Sequence, residues 1–216
     1  MRAFKTEGII LKRRNFGEAD RILTVFTPFK GKISVLAKGV RRITSRRGGN
    51  IELLNKVIIY LHQTKGMPIL TEAKALETYP KLKQDLTLST YAFHILELVD
   101  KMTAENQENR VLYTHLVEVL SRLEKEPRQI LIRAFEAKAL SNLGFVSFVT
   151  PGVSAQSSSK SVIEILKKLE SLNWSEIEKI EVSKNDALEL ERILRYHVER
   201  VIEGSLKSRK FLKKIR

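Results

Sequence analysis

Between Lys38 and Gly49 the chain reads Lys-Gly-Val-Arg-Arg-Ile-Thr-Ser-Arg-Arg-Gly-Gly, with five cations, three glycines and no acid. Guanidinium and ammonium groups at this density neutralise phosphates, and glycines beside them let backbone and side chains come close to a polyanion. A solvated loop whose charges only aid solubility is the competing reading. The distribution of charge favours phosphate binding. Of a formal net charge of +14, residues 1–80 carry +10, residues 207–216 carry +6, and residues 81–206 are near neutral at −2. Charge confined to particular segments argues for polyanion-binding surfaces there. Lys38, Arg41, Arg42, Arg46 and Arg47 are thus candidate phosphate ligands, and the tail from Lys207 to Arg216 is a second basic segment.

Other chemistries find little support. Gly31-Lys32 is followed by Ile33 rather than Ser or Thr and lacks the upstream glycine of a phosphate loop. No dinucleotide-binding glycine fingerprint, HExxH or GxSxG motif occurs, so no catalytic residue is assigned. The histidines, His62, His94, His115 and His197, lie far apart on or beside apolar stripes and read as packing or surface residues. Glu18 and Asp20 are the one close acidic pair beside the basic region. A nuclease metal would need such carboxylates, but their place at a strand entry fits Asp capping local backbone groups. Phe16 and Phe29 fall in turns, placed either to stack on unpaired bases or to fold back as caps on a small core. Tyr60 and Phe26 are expected in the core.

The elements that must position these residues change character near Pro80. Before it, Glu7–Arg13, Arg21–Thr27, Lys32–Lys38 and Glu52–Leu61 alternate or enrich β-branched residues as strands do. Ile69–Leu76 fits a fifth strand, although its Ala and Glu also suit a helix. In the third strand Ile33, Val35 and Ala37 share one face, which sets Lys32, Ser34 and Lys38 on the other and adds Lys32 to the candidate cations. Short strands with Gly-containing turns imply a small antiparallel barrel or sandwich. After Pro80 the period becomes helical, with stripes at Tyr91, Ile95, Leu98, Val99, Met102 and at Val111, Leu112, Leu116, Val119, Leu120, Leu123. Pro127 fits a first-turn position, Gly144 a helix stop, and Ser161 with Glu164 and Ser175 with Glu178 fit capping boxes. A last helix is expected from about Ser183 to Gly204, and Thr150–Lys160 reads as a polar loop. The fold class is α+β: a barrel over 1–80, an all-α domain over 81–206 and a basic tail over 207–216.

With no Cys, disulfides and thiolate metal sites are excluded. The longest apolar run, Val57–Leu61, is far too short to cross a bilayer, and Met1–Lys5 lacks the features of a signal peptide. These features predict a cytoplasmic protein with no membrane partner.

Several pieces in a fixed order then match one family. Gly17-Glu18-Ala19-Asp20-Arg21-Ile22-Leu23-Thr24-Val25-Phe26-Thr27, Gly31-Lys32-Ile33, and Ala37-Lys38-Gly39-Val40-Arg41-Arg42 with Ser45 resemble the N-terminal signature of the RecO family of bacterial DNA repair proteins. Leu70-Thr71-Glu72-Ala73, Tyr91–Leu98, and Phe135-Glu136-Ala137-Lys138-Ala139-Leu140 with Leu143-Gly144 continue it, over roughly residues 5–145. The resemblance implies an OB-fold barrel followed by a helical domain. It also implies a recombination mediator without enzymatic turnover, which binds single- and double-stranded DNA and anneals complementary strands. Its implied partners are RecR, the C-terminal tail of the single-stranded DNA-binding protein (SSB) and, indirectly, RecA. Lys38, Arg41 and Arg42 stand at the family's basic motif, whereas Arg46 and Arg47 are added from charge. Many members carry a four-Cys zinc segment after the Leu-Gly motif. Here Phe145–Lys160 holds no Cys or His, so the zinc module is expected to be lacking, with no metal and no cofactor.

Two further readings remain open from composition. The near-neutral helical domain is suited to docking partners. There an acidic tail ending in an apolar residue would need a cation beside an apolar pocket, with Arg122, Arg128, Arg133 and Lys138 as candidates. A basic OB-type protein associated with RNA or the ribosome fits the composition equally well.

Overall fold

Alternating apolar residues in the first third produce five strands that close on themselves: β1 (Ala3–Phe16), β2 (Asp20–Thr27), β3 (Gly31–Ala37), β4 (Lys56–His62) and β5 (Ile69–Glu77). The computed structural model describes residues 3–149, 159–204 and 206–208. The strand order is β1-β2-β3-β5-β4, with β4 returning to β1, a closed barrel of OB type. All pairings are antiparallel except β3 with β5, which meet in parallel at Leu36 and Ile69. Ile10, Leu23, Val25, Val35, Val57 and Ile59 fill the interior. Barrel closure decides the ambiguity at β5, since each of its two neighbours needs a partner strand. It also corrects two expectations. Tyr60 points outward between buried Ile59 and Leu61, is 39% exposed, and carries the Lys5 ammonium over its ring. The fourth strand starts at Lys56 rather than Glu52, because β1 bulges between Ile10 and Lys12 and pairs there with Leu54 and Asn55, Leu54 having φ +71°.

The chain divides into two units. The first comprises residues 1–80 together with 99–114, and the second comprises 81–98 with 115–216. Within the first, residues 105 and 106 run beside β3: Asn106 N–H donates to the Lys32 carbonyl, and Glu105 forms a parallel bridge with Lys32. The Ser34 hydroxyl donates to the Glu105 carboxylate at 2.8 Å, and the ring of Tyr113 packs on Phe26. Gly31 is required at this seam. Its φ is +59°, and a Cβ there would lie 1.8 Å from the Gln107 carbonyl oxygen.

The segment from Lys38 to Asn55 links β3 to β4 and is highly polar, yet it is held at several points. Val40 and Ile51, the latter in a short 3-10 turn (Gly49–Ile51), are buried in the barrel core. Asp20 accepts from Gly39 N–H at 2.7 Å, where φ is +67°. Arg41 donates through its backbone to the Ala19 carbonyl and through its guanidinium to the Gly17 carbonyl. Arg47 donates to the carbonyls of Leu70, Thr71 and Lys38, stapling the segment to β5.

Beyond the barrel the helices are α1 (Pro80–Gln84), α2 (Leu86–Met102), α3 (Arg110–Lys125), α4 (Gln129–Asn142), α5 (Lys160–Ser171), α6 (Trp174–Ile177) and α7 (Lys184–Val201). The α+β class and the strand-then-helix order hold. Most stripe residues are buried, but Val111 is exposed in the first turn of α3. Three expected helix starts shift. Pro127 lies before the N-cap of α4, Arg128, rather than in its first turn. The N-cap of α5 is Ser159, not Ser161. The capping box of α6 is Asn173 with Glu176, not Ser175 with Glu178, because Asn173 reaches the Glu176 N–H while Ser175 accepts from Arg122. Ser183 caps α7, which ends at Val201 rather than Gly204. Gly144, at φ +76°, ends α4: its N–H and that of Phe145 bond back to the Ser141 and Leu140 carbonyls. Most of the polar stretch Thr150–Lys160 lies outside the described residues. Among the described residues no helix is long and apolar enough to cross a membrane.

The helical unit is organised around a buried carboxylate. Glu136 accepts from Arg133 at 2.7 Å and bonds to His94 Nε2 at 2.7 Å, while Arg133 also reaches Glu191. Burial alone would raise the Glu136 pKa, but Arg133 and His94 outweigh it and hold it at about 2.

Two stability predictions follow from these contacts. Arg47→Met removes its bonds to three carbonyls and should cost about 1.5–3 kcal/mol in urea unfolding, whereas Arg42→Met should stay within about 0.5 kcal/mol of the parent. The depressed Glu136 pKa stabilises the fold above the unfolded-state value near 4.5, and that contribution is lost as pH falls towards 2. Glu136→Gln should therefore destabilise at neutral pH, by about 3 kcal/mol for a broken buried pair, and should flatten the loss of stability between pH 4.5 and 2.

Candidate nucleic-acid interface

The candidate cations do not all remain available. Lys38, Arg41, Arg42 and Arg46 are exposed, and the side chains of Lys38, Arg42 and Arg46 have no bonded partner among the described residues. They surround a depression of about 530 Å³ bounded by Asp20, Gly39 and Thr44. Arg41 is anchored by one bond to Gly17 and keeps its charge at the surface. Arg47 lines the same depression, but its guanidinium is committed to backbone carbonyls, a structural role.

Lys32 is separated from this set. Strand β3 ends at Ala37, so Lys38 sits in a turn and does not share a strand face with Lys32. Lys32 is 9% exposed, donates to the Asp100 carbonyl and pairs with the Asp100 carboxylate at 3.6 Å. Sequence alternation put Lys32 outward correctly, but that outward side is covered by residues 99–106, sixty and more positions away. Lys32 is therefore not available at the interface.

The aromatic pair is also divided. Phe16 ends β1 opposite Asp20, at the end of β2 where Arg41 bonds to Gly17, and is 49% exposed. Phe29 is 57% exposed but lies in the turn at the other end of the eight-residue β2, with the Arg110 guanidinium stacked 4.5 Å from its ring centre. Only Phe16 is beside the basic segment.

Sequence reasoning passed over β1 itself. After the bulge, Lys12, Arg14 and Phe16 occupy alternate positions and share the outer face. Their cross-strand neighbours are Thr24 and Ile22 on β2, then Ser34 and Leu36 on β3. Arg14 is exposed and has no bonded partner among the described residues. Lys12 pairs with Asp100, and Arg13 with Glu52, which also faces Arg21 at 3.7 Å. A depression of about 350 Å³ opens on this face between Arg14, Thr24 and Ser34. The run Lys12-Arg13-Arg14 was a visible signal, but without the bulge its register could not be assigned. The face thus has a basic side at Arg14 and the β3–β4 segment, and an acidic side at Asp100 and Glu105. Glu18 is exposed, and Asp20 is occupied with Gly39. Among the described residues no three His, Cys, Asp or Glu cluster as metal ligands.

A second concavity, of about 740 Å³, lies in the helical unit between α4 and α7. Arg128, Arg133 and Lys184 meet Ile130, Val182 and Leu188 there. Of the other cations considered for such a pocket, Arg122 is paired with Glu118 and Glu178. Lys138 is buried, donates to the carbonyls of Glu170 and Leu172, and has its pKa lowered by burial. Of the basic tail, Lys207 and Ser208 are described. Their N–H groups, at 2.8 and 2.9 Å, bond to the Glu97 carboxylate, held below its usual pKa by these bonds despite its burial. Residues 209–216 lie outside the described residues.

Residues 1–79 match the family model "Recombination protein O N terminal", and residues 83–146 and 150–210 match "Recombination protein O C terminal". A DNA repair protein RecO of Acetivibrio thermocellus is 38% identical over 153 residues, covering 69% of this chain and 61% of that protein. One from Pelotomaculum thermopropionicum is 28% identical over 246 aligned positions, covering 98% and 94%. One from a Roseiflexus species is 34% identical over 145 residues, covering 67% and 51%. The matched stretch is thus less than two thirds of the first and third of these relatives. An OB-type barrel bearing the basic β3–β4 segment, a following set of helices and the match of both family models over nearly the whole chain place this protein in the Recombination protein O family, whose work is DNA repair and recombination.

Proposed function

We propose that this chain is a non-enzymatic recombination mediator whose barrel, over residues 1–80, binds single- and double-stranded DNA and anneals complementary strands. The observation that supports it most is the fixed presentation of unpartnered cations: Lys38, Arg42 and Arg46 stand free on a segment held by Asp20, Arg41 and Arg47. Arg14 and Phe16 continue that surface along β1. Cations on a rigid mount neutralise phosphates of two strands without first losing conformational freedom, which lowers strand repulsion and lets bases pair. Phosphate contacts carry no base information, so binding should be sequence-tolerant.

With Arg14, Lys38, Arg41, Arg42 and Arg46 as the contacting set, the log-log salt slope for single-stranded DNA should be about −3.5. Reversing Lys38, Arg42 and Arg46 to Glu should reduce that slope and slow annealing, whereas Lys32→Met should leave the slope unchanged. A slope near zero in the parent protein refutes the electrostatic reading. Preference for single-stranded RNA in competition would move the assignment to an RNA-associated protein.

The helical domain, over 81–206, is proposed as the docking platform through which the chain works with RecR to load RecA onto SSB-coated DNA. Cations beside apolar side chains at Arg128, Lys184, Ile130 and Leu188 suit an acidic peptide with an apolar C-terminus, the chemistry of an SSB tail. In the full chain, Arg128→Glu with Lys184→Glu should weaken binding of such a peptide at least about tenfold, as measured by fluorescence anisotropy. Unchanged affinity would exclude this pocket. The basic tail from Lys207 is proposed as an auxiliary DNA contact.

A further inference from the structure

Ile43 has a placement that neither turn chemistry nor core packing explains. It lies in the middle of the basic segment and is 104% exposed, the full side chain standing in solvent. The Ser45 N–H donates to the Arg42 carbonyl at 2.9 Å, closing a four-residue turn in which Ile43 and Thr44 are the central residues. Such positions favour Gly, Pro, Asn, Asp and Ser, whereas a β-branched apolar residue contributes nothing to the turn. The turn is not a loose tip. It is fixed at Gly39 by Asp20, at Arg41 by the Ala19 and Gly17 carbonyls, at Val40 and Ile51 by burial in the core, and at Arg47 by β5. The fold therefore holds one bare aliphatic group in place, flanked by the unpartnered guanidiniums of Arg42 and Arg46.

We propose that Ile43 is a base-stack wedge: when the flanking cations engage phosphates, its side chain presses between neighbouring bases and partly unstacks that step. This rests on the nucleic-acid reading above and adds to it a residue that contacts bases rather than phosphates. Isolated apolar side chains between arginines act in this way on nucleic acids, because the cations bring the strand close and the aliphatic group replaces base-to-base contact. A wedge is useful to an annealing factor. A strand whose self-stacking is interrupted at one step can be matched against a second strand from that point. An anionic membrane would also offer phosphates and an apolar interior, but a single aliphatic residue inserts too little apolar area to hold a protein there.

The test uses the full chain and a DNA oligonucleotide carrying 2-aminopurine, whose fluorescence rises on unstacking, at successive positions, both single-stranded and paired. Binding of the parent protein should raise the signal. Ile43→Ser should abolish that rise and weaken binding by up to about tenfold, while its salt slope stays that of the parent, since no charge has changed. Ile43→Leu should retain the rise. Because Ile43 touches nothing in the fold, all three proteins should unfold at the same temperature. If Ile43→Ser leaves the rise intact, or if the parent binds without any rise, the wedge is refuted while the phosphate reading stands. If the parent binds DNA with no dependence on salt, the phosphate reading itself fails. Binding of the parent to phosphatidylserine vesicles that is lost in Ile43→Ser, with the 2-aminopurine rise unaffected, overturns the proposal in favour of a membrane.

Discussion

The barrel core reaches into its own charged loop. Val40 and Ile51 lie eleven residues apart on either side of four arginines, and both are buried among the side chains of β2, β3 and β4. Burying an aliphatic side chain of this size is worth about 1.5–3 kcal/mol, which offsets part of the cost of ordering a segment that repels itself. Without those two anchors the segment would be a mobile polycation. With them it becomes a fixed surface whose charge can be counted by position.

That constraint explains why the cations divide as they do. Once the segment is anchored, Arg47 donates to the Lys38 carbonyl at its start and to the Leu70 and Thr71 carbonyls of β5, while Asp20 supplies an acceptor to Gly39. Lys32 and Lys12 converge on Asp100, where residues 99–106 run along β3. Arg14, Lys38, Arg42 and Arg46 are exposed and keep no bonded partner among the described residues. A guanidinium used as a staple is held by short bonds in partly buried surroundings, whereas a free one gives up only weakly held water when it meets a phosphate. Net charge treats these groups alike, but the packing around them separates scaffold from contact surface.

The helical unit follows a different rule. A few of its charges are turned inward and compensated: Glu136 sits between Arg133 and His94, and Lys138 caps the end of α5. Removing one partner of such a buried pair leaves the other charge uncompensated, at a cost of about 3–5 kcal/mol. The concavity between α4 and α7 borders one such pair at Arg133. Its rim sets Arg128 and Lys184 beside the exposed side chain of Leu188, a setting suited to an acidic, apolar-ended ligand.

Much of this was legible in the residues. Period-two alternation marked β1 to β3, helical stripes marked α2, α3, α4 and α7, and the Lys38–Gly49 run marked the candidate interface. These signals are local, since each depends on which neighbours share a face. The helix starts expected at Pro127, Ser161 and Ser175 shifted by a few residues through local capping, whereas the misreadings that bear on the interface involved distance. Tyr60 turned outward because barrel closure set the register of β4. Lys32 was lost to a segment beginning at Asp100. Phe29 was parted from Phe16 by the length of β2, and Arg14 was missed because a bulge decides which side of β1 it faces. By itself the sequence determined that this is a basic barrel followed by helices with a concentrated positive segment, because charge density and periodicity are properties of the chain. Which of those charges are free to meet a phosphate was decided only by the tertiary structure, because a cation's availability depends on the carbonyls and carboxylates that folding brings to it.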